Sequence, residues 1–109
     1  LIRAIPVRAL AHITGGGLTD NIPRVLPDGL EVVLTRRSWH RDPTFDWLQR
    51  QGHIDPAEMY RTFNCGIGMV VIVPADQAEA AIRVLQSRGE VAQLIGEVRK
   101  GGHGVLIQE

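Results

Sequence analysis

Short apolar runs alternate with glycine, proline and charged stretches along the chain, and their spacing changes between strand-like and helix-like periods. Residues 4 to 13 (AIPVRALAHI) are apolar with a proline and β-branched members, which predicts a lead-in and a short strand ending at Gly15, Gly16 and Gly17. Thr19, Asp20 and Asn21 are all N-cap types, so a short helix is expected to start there with Pro23 in its first turn. Pro27-Asp28-Gly29 reads as a turn and Leu30 to Thr35 (LEVVLT) as a strand. Arg36 to Pro43 is polar and reads as a loop. Thr44 then caps a helix through Gln51 that carries Phe45 and Leu48 inward, with Trp47 a further candidate, and Gly52 stops it.

Asp55-Pro56-Ala57-Glu58 is a second helix start, giving a short helix over 56–62. Gly66 to Val73 (GIGMVVIV) is the most continuously apolar segment and predicts a central strand buried on both faces. Residues 75–88 place Ala78, Ala81, Ile82 and Leu85 on one stripe of an amphipathic helix that Gly89 ends. Strands over 92–99 and 104–108 flank Gly101-Gly102-His103-Gly104 as a hairpin. This order contains two β-α-β units and predicts an α+β fold, a mixed sheet with helices packed on it, related to ferredoxin-like folds.

With 109 residues and 44% hydrophobic content the chain suits a single domain, 1–109, with one modest core. Twelve basic and twelve acidic residues cancel, so the positive footprint of a general nucleic-acid binder is missing and no nucleic-acid partner is expected. Small anions remain candidates, since they need only a local site. A single cysteine, Cys65, excludes an internal disulfide framework and a zinc cluster, so no metal site is expected and a reducing cytoplasm fits best. No apolar run nears the roughly 18 residues of a membrane span, so no membrane association is expected.

The run His12 to Pro23 (HITGGGLTDNIP) concentrates the candidate chemistry. Three glycines before a helix start let a ligand approach the main chain, where unpaired N–H groups and the positive end of the dipole favour an anion. The cradle of Gly15, Gly16, Gly17 and Asn21, with the Thr14 hydroxyl, is therefore one reading of this run, and a plain strand-to-helix turn is the other. His12 adjoins it as a proton carrier or phosphate partner, or else as a core histidine on an apolar strand. Asn64 precedes the apolar run and either contacts substrate or forms a turn. Cys65 has only Arg61 nearby in sequence to activate it and reads as a buried inert thiol. His40, His53 and His103 read as solvated, and Trp39, Phe45, Trp47 and Phe63 as core or interface anchors.

The runs AHITGGGLTDNIPRVLP (11–27), SW…PTFDWLQ…G (38–52), EMYRTFNCGIGMVVIV (58–73) and GEVAQLIGEV (89–98) together resemble the carboxy-terminal portion of the aminoimidazole ribonucleotide synthetase family, over nearly all of the chain and in order. The resemblance implies the later part of the carboxy-terminal α/β domain of a longer enzyme. That enzyme uses ATP and Mg²⁺ to close the imidazole ring of formylglycinamidine ribonucleotide, releasing ADP and phosphate. It further implies a homo-oligomer whose amino-terminal ATP-binding domain holds most of the cofactor, leaving little for this portion to bind. It puts the glycine run and Asn21 beside the cleft between the two domains.

Asp20 stands where the family usually has Glu, and no G-x-x-x-x-G-K-[ST] loop occurs in the chain. The Asp20 difference is chemically mild, but with the nucleotide-binding half implied to lie elsewhere this portion by itself is expected to be inactive, and to self-associate through strand edges that upstream elements normally cover. Related ATP-dependent enzymes of the formylglycinamidine synthetase, selenophosphate synthetase or thiamine-phosphate kinase types are the nearest alternative. A noncatalytic dimerisation module is the alternative from another class.

Overall fold

The computed structural model describes residues 5–108, an α+β arrangement of two small sheets with four α-helices. Strand β1 (Ala9–His12) leads into α1 (Gly17–Asn21), and β2 (Leu30–Thr35) follows a 3₁₀ turn over 23–25. Helices α2 (Pro43–Gly52) and α3 (Pro56–Thr62) precede β3 (Met69–Ile72). Then come α4 (Ala78–Ser87), β4 (Gly96–Lys100) and β5 (Gly104–Gln108). The expected Thr44 cap of α2 is corrected: the helix begins one residue earlier, at Pro43, with Asp42 as its cap. Pro43 fits the first helical position, and the Asp42 carboxylate accepts the Thr44 N–H at 2.8 Å. That bond holds the Asp42 carboxyl below its ordinary pKa of 3.8, so its stabilising contribution is present above that value and fades as the pH falls below it.

Strands β1 and β3 pair antiparallel, with His12 opposite Met69 and Ala9 opposite Ile72. The second sheet has the order β4-β2-β5, antiparallel to β4 and parallel to β5. Several expectations are corrected here. Strands β4 and β5 do not form a hairpin, because β2 lies between them and takes a partner on each edge. The alternative would leave one edge of a strand buried at Val32, Val33 and Leu34 without backbone partners. The chain crosses the end of β2 at Gly101 and Gly102, where the Gly101 N–H donates to the Gly29 carbonyl at 2.9 Å.

Strand β3, expected to be central, pairs among the described residues with β1 alone, and only Val70 of its four residues is buried. Its outward residue Met69 is 53% exposed. The strand that does sit centrally is β2, whose Val32 and Leu34 face Val105 and Ile107 of β5. The β-α-β units therefore do not lie within one sheet, since β1 and β2 belong to different ones. Trp47, a candidate for the inward face of α2, is also 53% exposed, whereas Phe45 packs on Phe63 with ring centroids 6.1 Å apart.

One core joins the two sheets. Leu18 and Ile22 of the α1 region, Leu34 of β2, Met59 of α3 and Cys65 are fully buried, and Trp39 meets Tyr60 edge-on at 6.5 Å. Each such aliphatic side chain contributes about 1.5–3 kcal/mol by leaving water. Helix α1 is thus a short element held by its burial against α3, far too short to persist alone. Among the described residues no helix is long and apolar enough to cross a membrane.

Candidate functional site

The β1 ladder continues past His12, where the Ile13 N–H donates to the Gly68 carbonyl at 2.9 Å. This pairing sets the run from His12 at the end of β1 to Gly17 at the start of α1 beside the 63–68 turn that carries Asn64. Helix α1 starts at Gly17, two residues ahead of Thr19, with Gly16 at φ 97° as its N-cap and no side-chain cap. The expected capping by Thr19, Asp20 or Asn21 is corrected accordingly. Left-handed Gly16 reverses the chain early, which only glycine does without strain.

Asn21 acts from inside the helix. Its side-chain amide donates to the carbonyls of Gly17 at 2.8 Å and of Thr14 and Gly15 at 3.3 Å each. Its Oδ1 accepts from the Thr14 hydroxyl and Arg24 Nη1 at 3.4 Å. Asn21 is only 5% exposed, so the amide stitches the loop closed and its polar atoms are spent on the protein.

The three glycines differ from one another. Gly17 is buried at φ 60°, and a Cβ there would collide with the carbonyls of Tyr60 in α3 and of Phe63 just past its end. Its N–H donates to the Thr14 carbonyl at 3.0 Å. Gly16 lies against the Asp20 side chain, whose Oδ2 would come 3.0 Å from an added Cβ. That carboxylate sits where an incoming anion would have to compete with it. Gly15 is exposed, and a Cβ added there would meet nothing within 4 Å.

His12 is exposed at the end of β1, so the core-histidine reading is not what the fold produces. Asn64 forms a turn: its Oδ1 accepts the Gly66 N–H at 2.9 Å and its carbonyl accepts the Ile67 N–H at 3.0 Å. Cys65 is fully buried at φ 54°, its Sγ 3.5 Å from the Met59 carbonyl and its own carbonyl accepting the Trp39 indole N–H at 3.2 Å. Burial pushes its thiol above the ordinary 9.0, against the opposing pull of Arg41 and Arg36, which keeps it a weak nucleophile. The folded state therefore loses stability relative to the unfolded chain as the pH rises beyond that ordinary value. Arg61, the cation suggested by sequence proximity, instead pairs with Glu58 at 2.6 Å on the exposed side of α3. His40, His53 and His103 are exposed as expected.

Sequence reasoning missed a second polar centre. Arg36, Arg41, Asp46, Gln49, Pro56 and Tyr60 line an open cleft of about 450 Å³ between the 36–41 turn, α2 and α3. Arg41 is 7% exposed although it falls in a run read as a polar loop. The signal that could have found it is the i, i+3 spacing of Asp46 and Gln49, which puts an acid and an amide on one face of α2. Trp39, between two arginines, is a second hint that this run turns inward.

The chain matches, over residues 1–109, the family model described as AIR synthase related protein, C-terminal domain. It belongs to that family. Relatives named phosphoribosylformylglycinamidine cyclo-ligase include one from Cupriavidus metallidurans, 55% identical over 104 residues. Those residues are 95% of this chain and 30% of the relative. The Methylobacillus flagellatus protein is 55% identical over the same shares. The Nitrosospira multiformis protein is 52% identical over 92% of this chain and 28% of its own length. The chain thus spans under a third of the length of the curated relatives it matches.

Proposed function

We propose that this chain forms the substrate-side wall of an ATP-dependent cyclo-ligase that closes the imidazole ring of formylglycinamidine ribonucleotide, giving aminoimidazole ribonucleotide, ADP and phosphate. The observation that supports it is the loop at Gly15 and Gly16, opening α1 beside the 63–68 turn, in a chain 55% identical to a protein named for that reaction. In this reading Gly15 and Gly16 present main-chain donors to an oxyanion of substrate or phosphoryl group. Asn21 and Thr14 act by fixing the loop rather than by touching the ligand. Asn64 likewise shapes the adjoining turn, and exposed His12 exchanges a proton at its imidazole. Asp20, lying on Gly16, tunes how much negative charge the loop accepts.

ATP and Mg²⁺ are the cofactors of this reading, and their main holders lie outside this chain. Among the described residues no three His, Cys, Asp or Glu side chains converge, so no step is routed through a metal held here. The partners are the ribonucleotide substrate, an amino-terminal ATP-binding domain and a second copy in a cytoplasmic homo-oligomer. Strands from that larger protein would join the two small sheets into a ferredoxin-like whole.

A chimera tests this. The chain replaces the matching 104 residues of the Cupriavidus metallidurans cyclo-ligase, and ADP release is measured with formylglycinamidine ribonucleotide. Substrate-dependent turnover near that of the parent is expected, while the chain by itself matches the buffer blank. A folded chimera that turns over only a different amide or phosphate acceptor would favour a sister enzyme. A folded but inert one would favour a structural module, for which exposed Met69 and Leu10 on the outer face of the β1–β3 pair are the supporting feature.

A further inference from the structure

The cleft between the 36–41 turn, α2 and α3 takes no part in the reading above, yet it holds a buried cation with unfinished hydrogen bonding. We propose that it binds the phosphate group of a small phosphorylated molecule through Arg41 and Arg36. The Arg41 side chain is 4% exposed, and its Nε has no hydrogen-bond partner among the described residues. The Asp46 carboxylate lies 3.3 Å from that nitrogen but outside hydrogen-bonding geometry, and it is half exposed. A buried guanidinium N–H without an acceptor is destabilising, a penalty that an oxyanion entering the cleft removes.

The rest of the cleft holds the fork ready. Gln49 Oε1 accepts from Arg41 Nη2 at 2.9 Å, and the guanidinium lies over the Tyr60 ring at 5.9 Å, which fixes its plane. Arg36 is placed by its bond to the Trp39 carbonyl at 3.4 Å and by stacking on the Trp39 ring at 5.5 Å. Two guanidiniums face one half-exposed carboxylate, so the lining keeps a net positive charge. Paired arginine forks match the several oxygens of a phosphate better than the two of a carboxylate. A volume of about 450 Å³ lies in the range of small-molecule sites and exceeds what a bare anion fills.

The test is NMR of the arginine Nε–H and Tyr60 ring signals while the chain is titrated with inorganic phosphate, ribose 5-phosphate and acetate. Both phosphates are expected to shift Arg41, ribose 5-phosphate several-fold more tightly, with acetate weakest. Arg41→Lys keeps charge but loses the fork and is expected to weaken binding about tenfold. Arg36→Gln, at a less buried position, gives the same direction if Arg41→Lys fails to fold. Asp46→Asn removes the competing carboxylate and is expected to tighten binding several-fold, a gain that a purely structural ion pair would not give. No phosphate-dependent shift at Arg41, no gain with Asp46→Asn, or acetate binding as tightly as phosphate would each overturn the proposal. So would a response abolished by Gly15→Ala, because the phosphate would then be reporting the glycine loop.

Discussion

The glycines of the 15–17 loop and those of the 101–104 crossing share a composition and do opposite work. In the first, Gly17 is demanded by packing: α1 lies so close to α3 that the carbonyls of Tyr60 and Phe63 occupy the place of a side chain. In the second, Gly101, Gly102 and Gly104 have φ values of 85°, 72° and 80°, and they carry the chain across the end of β2 in solvent. Gly101 and Gly104 have nothing near an added Cβ, and Gly102 meets only the Glu31 side chain, which also pairs with Arg99 at 2.6 Å. One run is locked by close packing, and the other by its own backbone angles and the single bond from Gly101 N–H to the Gly29 carbonyl. Substitution should therefore cost far more in the first than in the second.

The largest effect is expected at Gly17. Gly17→Ala forces a Cβ into two backbone carbonyls that cannot swing aside, at a positive φ, so overpacking and left-handed strain add to about 3 kcal/mol or more. Thermal unfolding should show a Tm drop on the order of 10 °C or no folded protein at all. A drop no larger than that of Gly101→Ala would erase the contrast between the loops.

Asn21→Ala comes next. It leaves the carbonyls of Thr14, Gly15 and Gly17 without their amide donor, at a cost of about 2 kcal/mol. Amide exchange should quicken across 14–17 while the 101–104 amides stay as they were. Exchange rising equally in both loops would mean that Asn21 supports the whole fold and not this loop.

These two positions also mark what was legible in the sequence. The TGGGLTDN run announced a chain reversal before a helix, and Asn21 was singled out, but as a ligand contact. That it closes the loop from within depends on which carbonyls the fold turns toward it, and spacing does not encode that. Helix α3 was legible because Asp55 and Pro56 act locally, whereas α2 was found with its start misplaced, since Asp42 rather than Thr44 caps it. Pairing was not, since the interposition of β2 between β4 and β5 is decided by long-range edges. The GIGMVVIV run looked central and buried on both faces because it is apolar throughout, yet only Val70 of β3 is buried, since apolarity fixes neither burial nor the number of neighbours. Arg41 was hidden for the converse reason, as a charge reads as solvent-facing until a fold supplies Gln49, Asp46 and Tyr60 around it.

At the crossing, Gly102→Ala is expected to cost about 1 kcal/mol. The added methyl meets only the end of the Glu31 side chain, which can move, so the backbone angle supplies most of the penalty. Pairing it with Glu31→Ala separates the two terms. If the double variant recovers most of the loss, the contact and not the angle sets the cost, and the crossing resembles the 15–17 loop after all.

The smallest expected effect on stability is the most informative for function. Gly15 is the one glycine of its loop without a positive φ, and nothing lies within 4 Å of an added Cβ. Gly15→Ala should therefore stay within about 0.5 kcal/mol of the parent, because the lower entropy of the unfolded alanine chain offsets any small strain. The open space beside Gly15 is also where an oxyanion would approach the main chain, and a methyl there displaces it. In the cyclo-ligase chimera the same substitution is expected to lower turnover roughly tenfold or more, since a ligand shifted by about 1 Å loses its alignment with the reacting groups. Unchanged stability with unchanged turnover would make the loop only a turn, and the contrast with the 101–104 crossing would then be one of packing alone.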